Sequence, residues 1–519
     1  MNTSILHTSL QKLKSPTVVL FLFTLLGGMA LSQHAFWRDE VNPWLIARDS
    51  NTWEELWKNV RYEGHPILWY LCLVVLNHVT HSIISMQVFH LFLGVGVIFL
   101  FWFYSPFNPL EKLLFTFGYF PFYEYFIISR NYVFGLLGSF LFCSILPSRK
   151  NTYIPISLVL GLTANSHAYA LFIALYLGFV LFLEFIFDSQ HRQQYFQASR
   201  RFDLILSVII FLGLTYLATY MILPPNDSLL HGGESFFLDF DMHRVLWSIG
   251  RISGAYLLLI PKASSWFDLI LVDSLILGIV LLVTISLLKK PYVLCFYLLA
   301  TISITFIFFY GKYLGGFRHF GSLYVVLIVS LWMSIHFQEN DILFKYFNPS
   351  LVAFSTKLFH WIFLAILTIH LLTGIALNIR DLFVPWSASR ATANYMIQEG
   401  LEKEFIVASM DSHMAPLSGY LDRKLYYPEI ESMGSFTLFL RTRQTADPAM
   451  VLSQTSEILS GDRPSTNPIP SRVLLLLNTK LDLEPIIDLA PNLKITPIAQ
   501  FEKSYIHDEK YFLYWVELR

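Results

Sequence analysis

An acidic pair, Asp39-Glu40, follows the first long apolar run of this chain, with Trp37 and Arg38 directly before it. Further along stands Arg61-Tyr62-Glu63-Gly64-His65-Pro66. Acids beside a bilayer cost free energy to hold, so their placement there points to chemistry at the membrane surface. A carboxylate at the mouth of a span can take a proton from an acceptor hydroxyl or amine. Arginines close by can grip a departing phosphate through two parallel hydrogen bonds. Between Ala35 and Pro66 stand six acids (Asp39, Glu40, Asp49, Glu54, Glu55, Glu63), four bases (Arg38, Arg48, Lys58, Arg61) and four tryptophans (Trp37, Trp44, Trp53, Trp57). Tryptophan favours the headgroup level, so this segment is predicted to lie along the bilayer as short interfacial helices. The same composition also fits helix caps, solvated faces and simple aromatic anchors, and the residues alone leave both accounts open.

The elements that must position these groups are apolar. Of 519 residues, 55% are hydrophobic and 17% aromatic, and only 14% are charged, against about 25% in soluble domains. A net charge of −1 gives no field that would draw nucleic acid. The three cysteines, Cys72, Cys143 and Cys295, lie in apolar stretches, which argues against a disulfide framework. No internal repeat and no metal-spaced Cys/His cluster is visible.

Eleven apolar runs could span a bilayer: 16–34, 83–105, 113–129, 132–147, 153–166, 169–187, 204–223, 266–288, 291–310, 319–337 and 356–378. The first reads as a retained signal anchor, because it is longer than a signal core and has no small-residue cleavage site. Ile67–Ser82 is apolar only as far as Leu76 and is predicted to be interfacial. Parity agrees. With 67–82 in the interface, Lys12, Lys14, Lys112, Arg149-Lys150, the 188–203 loop and Lys289-Lys290 share the cytoplasmic side, as the positive-inside rule prefers. Asp39, Glu124, Arg130, His167, Arg318 and the tail then share the outer side.

Residues 1–379 are therefore expected to form the membrane domain and 380–519 a small soluble α/β domain on the outer face. Its predicted elements are a helix from Arg390 to Glu402 and strands at Phe405–Met410, Phe436–Arg441 and Arg472–Leu477. A closing hairpin pairs Ile495–Phe501 with Tyr511–Val516. Gly461–Ser471, with Pro464, Pro468 and Pro470, reads as an exposed loop.

Four ordered segments carry a family resemblance. Asp39-Glu40 with Tyr62-Glu63-Gly64-His65-Pro66 is the first. Pro121-Phe122-Tyr123-Glu124-Tyr125, running on to Ser129-Arg130-Asn131-Tyr132, is the second. Asn165-Ser166-His167-Ala168-Tyr169 and Gly316-Phe317-Arg318-His319-Phe320-Gly321 complete the set. Their order resembles the GT-C membrane glycosyltransferases, nearest to the branch of protein O-mannosyltransferases and lipid A aminoarabinose transferases. No single motif is specific; the ordered set is.

The resemblance implies a polytopic α-helical enzyme of about eleven spans with interfacial helices in the first outer loop. It implies Asp39 as catalytic base or acceptor-orienting acid, with Glu40 beside it. Arg130, Arg318 and His65 would bind the donor phosphate, and Glu63, Glu124, Tyr132, His167, Tyr169 and His319 would line the site. Relatives often place an acid one or two residues before the loop arginine, where this chain has Ile128 and Ser129. Glu124 is the substitute, set further back. The mannosyltransferase branch needs no metal, whereas oligosaccharyltransferase relatives hold a divalent ion, which Asp39, Glu40 and Glu124 could ligate here as Mg²⁺ or Mn²⁺.

The function expected on this basis is transfer of a sugar from a polyprenyl-phosphate donor to a lipid, protein or glycan acceptor, at the outer face of a bacterial inner membrane. A lipid-linked sugar flippase or transporter is the rival from another class. Transporters, however, show paired halves and polar groups near the midplane, where this chain crowds its charges at one interface. A polysaccharide polymerase or ligase would share the lipid-linked donor and the many spans. A non-catalytic scaffold that displays the tail would have no need of Asp39.

Overall fold

The structure is a computed structural model and describes residues 15–197, 200–229, 236–262, 264–463, 469–482 and 491–519. Lys12, Lys14, Pro464 and Pro468 lie outside these residues. Among the described residues, nine helices are long and apolar enough to cross a bilayer. They are Pro16–Gln33, Ile84–Tyr104, Tyr132–Lys150, Ala168–Phe187, Arg201–Ile222, Trp266–Ser286, Pro291–Tyr310, Phe317–His336 and Pro349–Phe383.

Two of the eleven expected runs are shorter. Residues 109–127 break at Gly118 into a helix, Pro109–Thr116, and a π-helix, Tyr119–Ile127. Ile154–Ala164 has 11 residues and packs among protein helices, which spare its ends from lipid. Phe126 of the π-helix sits in a notch between spans. A Cβ at Gly27 or Gly94 would stand 2.5 or 2.2 Å from its ring, so both positions require glycine for this approach.

Leu68–Val79 has 12 residues, a rise of about 18 Å against a core of about 30 Å, so it does not cross. It packs along Arg38–Asp49, and Asn77 Nδ2 donates to the Trp44 carbonyl at 3.4 Å. Leu71, Val75 and Val79 are left exposed to face lipid. Met242–Tyr256 forms a helix of 15 residues, half of it buried against neighbouring helices, and the His243 ring lies 5.2 Å from that of Trp266.

At the end opposite Asp39, Arg149 ties three spans together. It donates to both carboxylate oxygens of Glu184, at 2.8 and 3.0 Å, and to the His336 carbonyl at 2.7 Å.

The tail carries a six-stranded sheet in the order β3-β2-β1-β4-β6-β5. The strands are β1 Ile406–Ser409, β2 Leu425–Tyr427, β3 Ser432–Gly434, β4 Val473–Leu477, β5 Leu493–Phe501 and β6 Tyr511–Leu518. β1 runs parallel to both β2 and β4, while β5 and β6 form the expected antiparallel hairpin. The residues of β1, β2 and β4 are buried on both faces, because Asp411–Tyr420 covers one side and Pro448–Ser460 the other.

Phe436–Arg441, expected as a strand, is not one. Thr437 exchanges two hydrogen bonds with the Asn42 side chain, and Arg441 N donates to the Asp227 carbonyl at 2.8 Å. Its backbone groups are thus satisfied by the first outer segment and an outer loop, not by the sheet.

Candidate active site

Asp39 sits in the first turn of Arg38–Asp49, where the helix dipole favours a negative charge. The helix start is fixed from three directions. Trp37 N donates to Glu40 Oε2 at 3.3 Å, Arg38 N donates to Glu509 Oε1 at 2.9 Å, and Phe36 N donates to Tyr420 Oη at 3.1 Å. Ser389 Oγ donates to the Phe36 carbonyl at 2.6 Å, and Arg390 binds the carbonyls of Ser32, Gln33 and His34. The tail thus holds the segment on which the carboxylate is mounted.

Two guanidiniums from distant spans converge on one oxygen. Arg130 Nη1 lies 2.8 Å from Asp39 Oδ2, and Arg318 Nη2 lies 2.9 Å from the same atom. Oδ1 has only Arg38 Nε, at 3.9 Å. Burial alone would raise the pKa of Asp39, but Arg318, Arg130 and Arg38, in that order, hold it below the ordinary carboxylate range. A quarter of the side chain (25%) remains accessible, so the carboxylate is ionised and reachable.

Arg130 Nη2 reaches His65 Nε2 at 3.4 Å. Burial and the two arginines push His65 down to about 3, so it stays neutral and acts as an acceptor that orients Arg130. His65, expected among the donor-phosphate ligands, is in contact with Arg130, another of them. Glu63 accepts from Asn42 Nδ2 at 3.0 Å and lies 3.5 Å from Tyr70 Oη. Burial raises it to about 7 against the opposing pull of Arg130.

Below the arginines lies an aromatic floor. Tyr132 stacks on Tyr125 with centroids 5.6 Å apart and touches the His167 and His319 rings at 4.6 and 6.0 Å. Tyr169 lies 5.5 Å from His319. Both histidines cap the first turn of a helix. His167 Nδ1 accepts from Ala170 N at 3.3 Å, and His319 Nδ1 accepts from Gly316 N at 2.8 Å, so each ring carries its proton on Nε2. A Cβ at Gly135 would stand 2.4 Å from His167 Nε2, which explains the glycine facing it.

Glu40, expected beside Asp39 as a catalytic acid, is turned away from the site. It is fully buried, with Oε2 2.7 Å from His34 Nε2 and Oε1 accepting from Ser129 N at 2.6 Å. Consecutive helix residues diverge by about 100°, so both could not face one cavity. Glu124 accepts from Tyr119 Oη at 2.5 Å and serves the ring of charge around Arg318 from outside. The three acids considered for Mg²⁺ or Mn²⁺ are therefore not assembled as ligands. Among the described residues no three His, Cys, Asp or Glu side chains gather as a metal site.

Four contributors were not signalled by sequence: His34, Glu509, Asp508 and His413. His34 ends the first span. The other three lie in the tail, where no local pattern relates them to residue 39.

No protein-family model matches the sequence, and no curated protein matches it by sequence. By structure the chain is similar to ArnT from Cupriavidus metallidurans, solved bound to undecaprenyl phosphate. The superposition has a TM-score of 0.50 at 10% identity and covers 96% of this chain and 97% of that one. The chain therefore shares the fold of that protein. The likeness extends over the tail as well as the spans, further than the motifs from Asp39 to Gly321 reach.

Proposed function

We propose that this protein is an integral-membrane glycosyltransferase that moves a sugar from a polyprenyl-phosphate carrier to an acceptor. The observation that carries this reading is the convergence of Arg130 and Arg318 on one oxygen of a single ionised, accessible carboxylate. With Arg38 nearby, three guanidiniums face one carboxylate, a surplus of positive charge that suits a phosphate. The carrier phosphate binds Arg130 and Arg318 and takes over part of the positive charge that now holds Asp39. The carboxylate then regains basicity just as the acceptor arrives. The acceptor oxygen attacks the anomeric carbon, the carbon–oxygen bond to phosphate breaks with inversion, and the acceptor proton passes to Asp39. Charge growing on the leaving phosphate strengthens both arginine contacts, which is where fixed donors lower a barrier most.

The sidedness follows from charge. Lys112, Arg149, Lys150, Arg192, Arg200, Arg201, Lys289 and Lys290 stand at the ends of spans opposite Asp39, which supports a site on the outer, periplasmic face of a bacterial inner membrane. The likeness to ArnT, itself solved with undecaprenyl phosphate, supports a carrier of that class. Glu40 and Glu124, the acids that could have joined Asp39 around Mg²⁺ or Mn²⁺, are bonded to Ser129 and Tyr119, which favours transfer without a resident metal.

Asp39→Asn tests the proposal. It should reach the membrane in normal amount and lose transfer by hundreds-fold or more, roughly 3–4 kcal/mol of barrier. Mass spectrometry of glycans and lipid-linked sugars from cells carrying each form gives the readout, and an unchanged product would refute it.

A further inference from the structure

The backbone that carries Arg130 is gripped by two buried side chains. His90, in the span Ile84–Tyr104, is fully buried with each ring nitrogen against a carbonyl oxygen. Nδ1 lies 2.7 Å from the Phe126 oxygen, and Nε2 lies 2.9 Å from the Arg130 oxygen. On the other side of Arg130, Ser129 N donates to Glu40 Oε1 at 2.6 Å. The chain is thus held just before and just after the Cα from which the guanidinium springs.

A neutral imidazole has one N–H and one bare lone pair. Set between two carbonyl oxygens, it satisfies one and turns its lone pair on the other, at a separation too short for an intervening water. Both contacts are favourable only when both nitrogens carry a proton. The rings of Phe126 and Trp69 flank His90 at 6.4 and 6.0 Å and close the site around it.

Charge balance points the same way. Glu40 is completely buried and meets three groups able to donate: Ser129 N, Trp37 N at 3.3 Å and His34 Nε2 at 2.7 Å. Donors on both oxygens are the surroundings of a carboxylate, and a carboxylate so buried requires a positive partner. His34 and His90 are the histidines within its electrostatic reach, and their surroundings tell them apart. His34 Nδ1 is buried with no hydrogen-bond partner. A second proton on His34 would bury an N–H with nothing to accept it, whereas the neutral ring leaves only a lone pair there. His90 has an acceptor at each nitrogen.

The same span also reaches the segment that leads into Asp39. Gln87 lies one turn before His90, on the same helix face, and its Nε2 donates to the His34 carbonyl at 3.2 Å. Gln87 and His90 together therefore set the two members of the Asp39–Arg130 pair relative to each other.

We propose that His90 is held as an imidazolium, the counter-charge of the buried Glu40 carboxylate, and that this pair positions Arg130 for the carrier phosphate. His90 touches no reacting atom and acts through Arg130. The functional half of the inference rests on the glycosyltransferase reading; the charge assignment stands on the hydrogen bonds alone.

Solid-state NMR of the full-length protein in lipid bilayers, with ring-¹⁵N histidine, reads the charge directly. His90 is picked out by dipolar coupling to carbonyl-¹³C phenylalanine and arginine. Both of its ring nitrogens should carry a proton at pH 7, and a ring with a single N–H overturns the proposal. The positioning role is read from undecaprenyl phosphate affinity. His90→Gln should weaken it by about ten-fold in the wild-type background and by less than about two-fold beside Arg130→Gln, because residues that act as one unit are not additive. An undiminished loss in the double variant would mark a general structural defect and overturn positioning through Arg130. Should Arg130→Gln by itself leave carrier binding unchanged, the transferase reading falls and the imidazolium stands on its spectrum. A neutral His90 beside a normal Arg130→Gln loss sinks this inference alone.

Discussion

The backbone N–H of Arg38 donates to Glu509 Oε1 at 2.9 Å, joining the helix that carries Asp39 to the last hairpin of the chain. Glu509 is fully buried, and that burial, offset in part by Arg38, raises it to about 8. The tail is therefore part of the machinery that aims the carboxylate, and its titration is built into the molecule's stability.

The sign of that dependence is fixed. Between its ordinary value of 4.5 and about 8, the unfolded chain has lost the Glu509 proton and the folded chain has kept it. The folded state binds more protons there, so the Glu509 contribution falls as pH rises through this window. Glu509→Gln keeps an acceptor for Arg38 N and carries no charge. Its melting temperature should match wild type near pH 5 and exceed it at pH 8.5. Equal losses at both pH values would contradict the assignment.

Arg130→Gln and Arg318→Gln should each lower turnover by about 10²–10³-fold, with weaker carrier binding. Lysine should rescue Arg130 poorly, because a point charge cannot reach Asp39 and His65 together as the planar guanidinium does. Calorimetric titration with undecaprenyl phosphate, set beside single-turnover rates, separates binding from chemistry. Full rescue by lysine would show that charge alone suffices.

Glu63, raised to about 7, predicts a pH effect on donor affinity. Below that value the group is protonated and neutral. Above it the carboxylate competes with phosphate for Arg130, so the donor KM should rise as pH climbs from 6 to 8. Glu63→Gln should flatten that profile without altering the pH 6 value. A wild-type profile with no rise would remove Glu63 from the site.

His34→Ala should act on the fold. It leaves buried Glu40 without its 2.7 Å hydrogen-bond partner, and a buried polar group left unsatisfied costs about 1–3 kcal/mol. Thermal unfolding in detergent should show a large loss, while undecaprenyl phosphate affinity per folded molecule stays near wild type. Unchanged stability with lost chemistry would return Glu40 to a catalytic role.

Chelation by EDTA should leave transfer intact. Activity lost to the chelator and restored by Mg²⁺ would require ligands that Glu40 and Glu124 do not provide in this arrangement.

Much of this architecture is local and was legible in the residues. Span length follows from the bilayer's thickness, and the break of apolarity after Leu76 is enough to keep 68–79 in the interface. The β5–β6 hairpin follows from two apolar runs joined by a polar loop. The helix Asp411–Tyr420 was not legible because Pro416 interrupts it, whereas Pro448–Ser460 was marked by Asp447, Pro448, the spacing of Val451, Leu452, Ile458 and Leu459, and Gly461, and was missed all the same.

The direction of a side chain within a turn is another matter. Asp39 and Glu40 are adjacent and chemically alike, yet one meets Arg130 and Arg318 while the other is sealed against His34 and Ser129. Sequence by itself determined that this is a multi-span protein with acids and arginines gathered at one interface, since hydrophobicity and charge act residue by residue. Only the tertiary structure decided which acid is aimed at the arginines and that Glu509 stands beneath it. Those contacts join positions far apart in the chain, and helix phase and packing, not composition, bring them together.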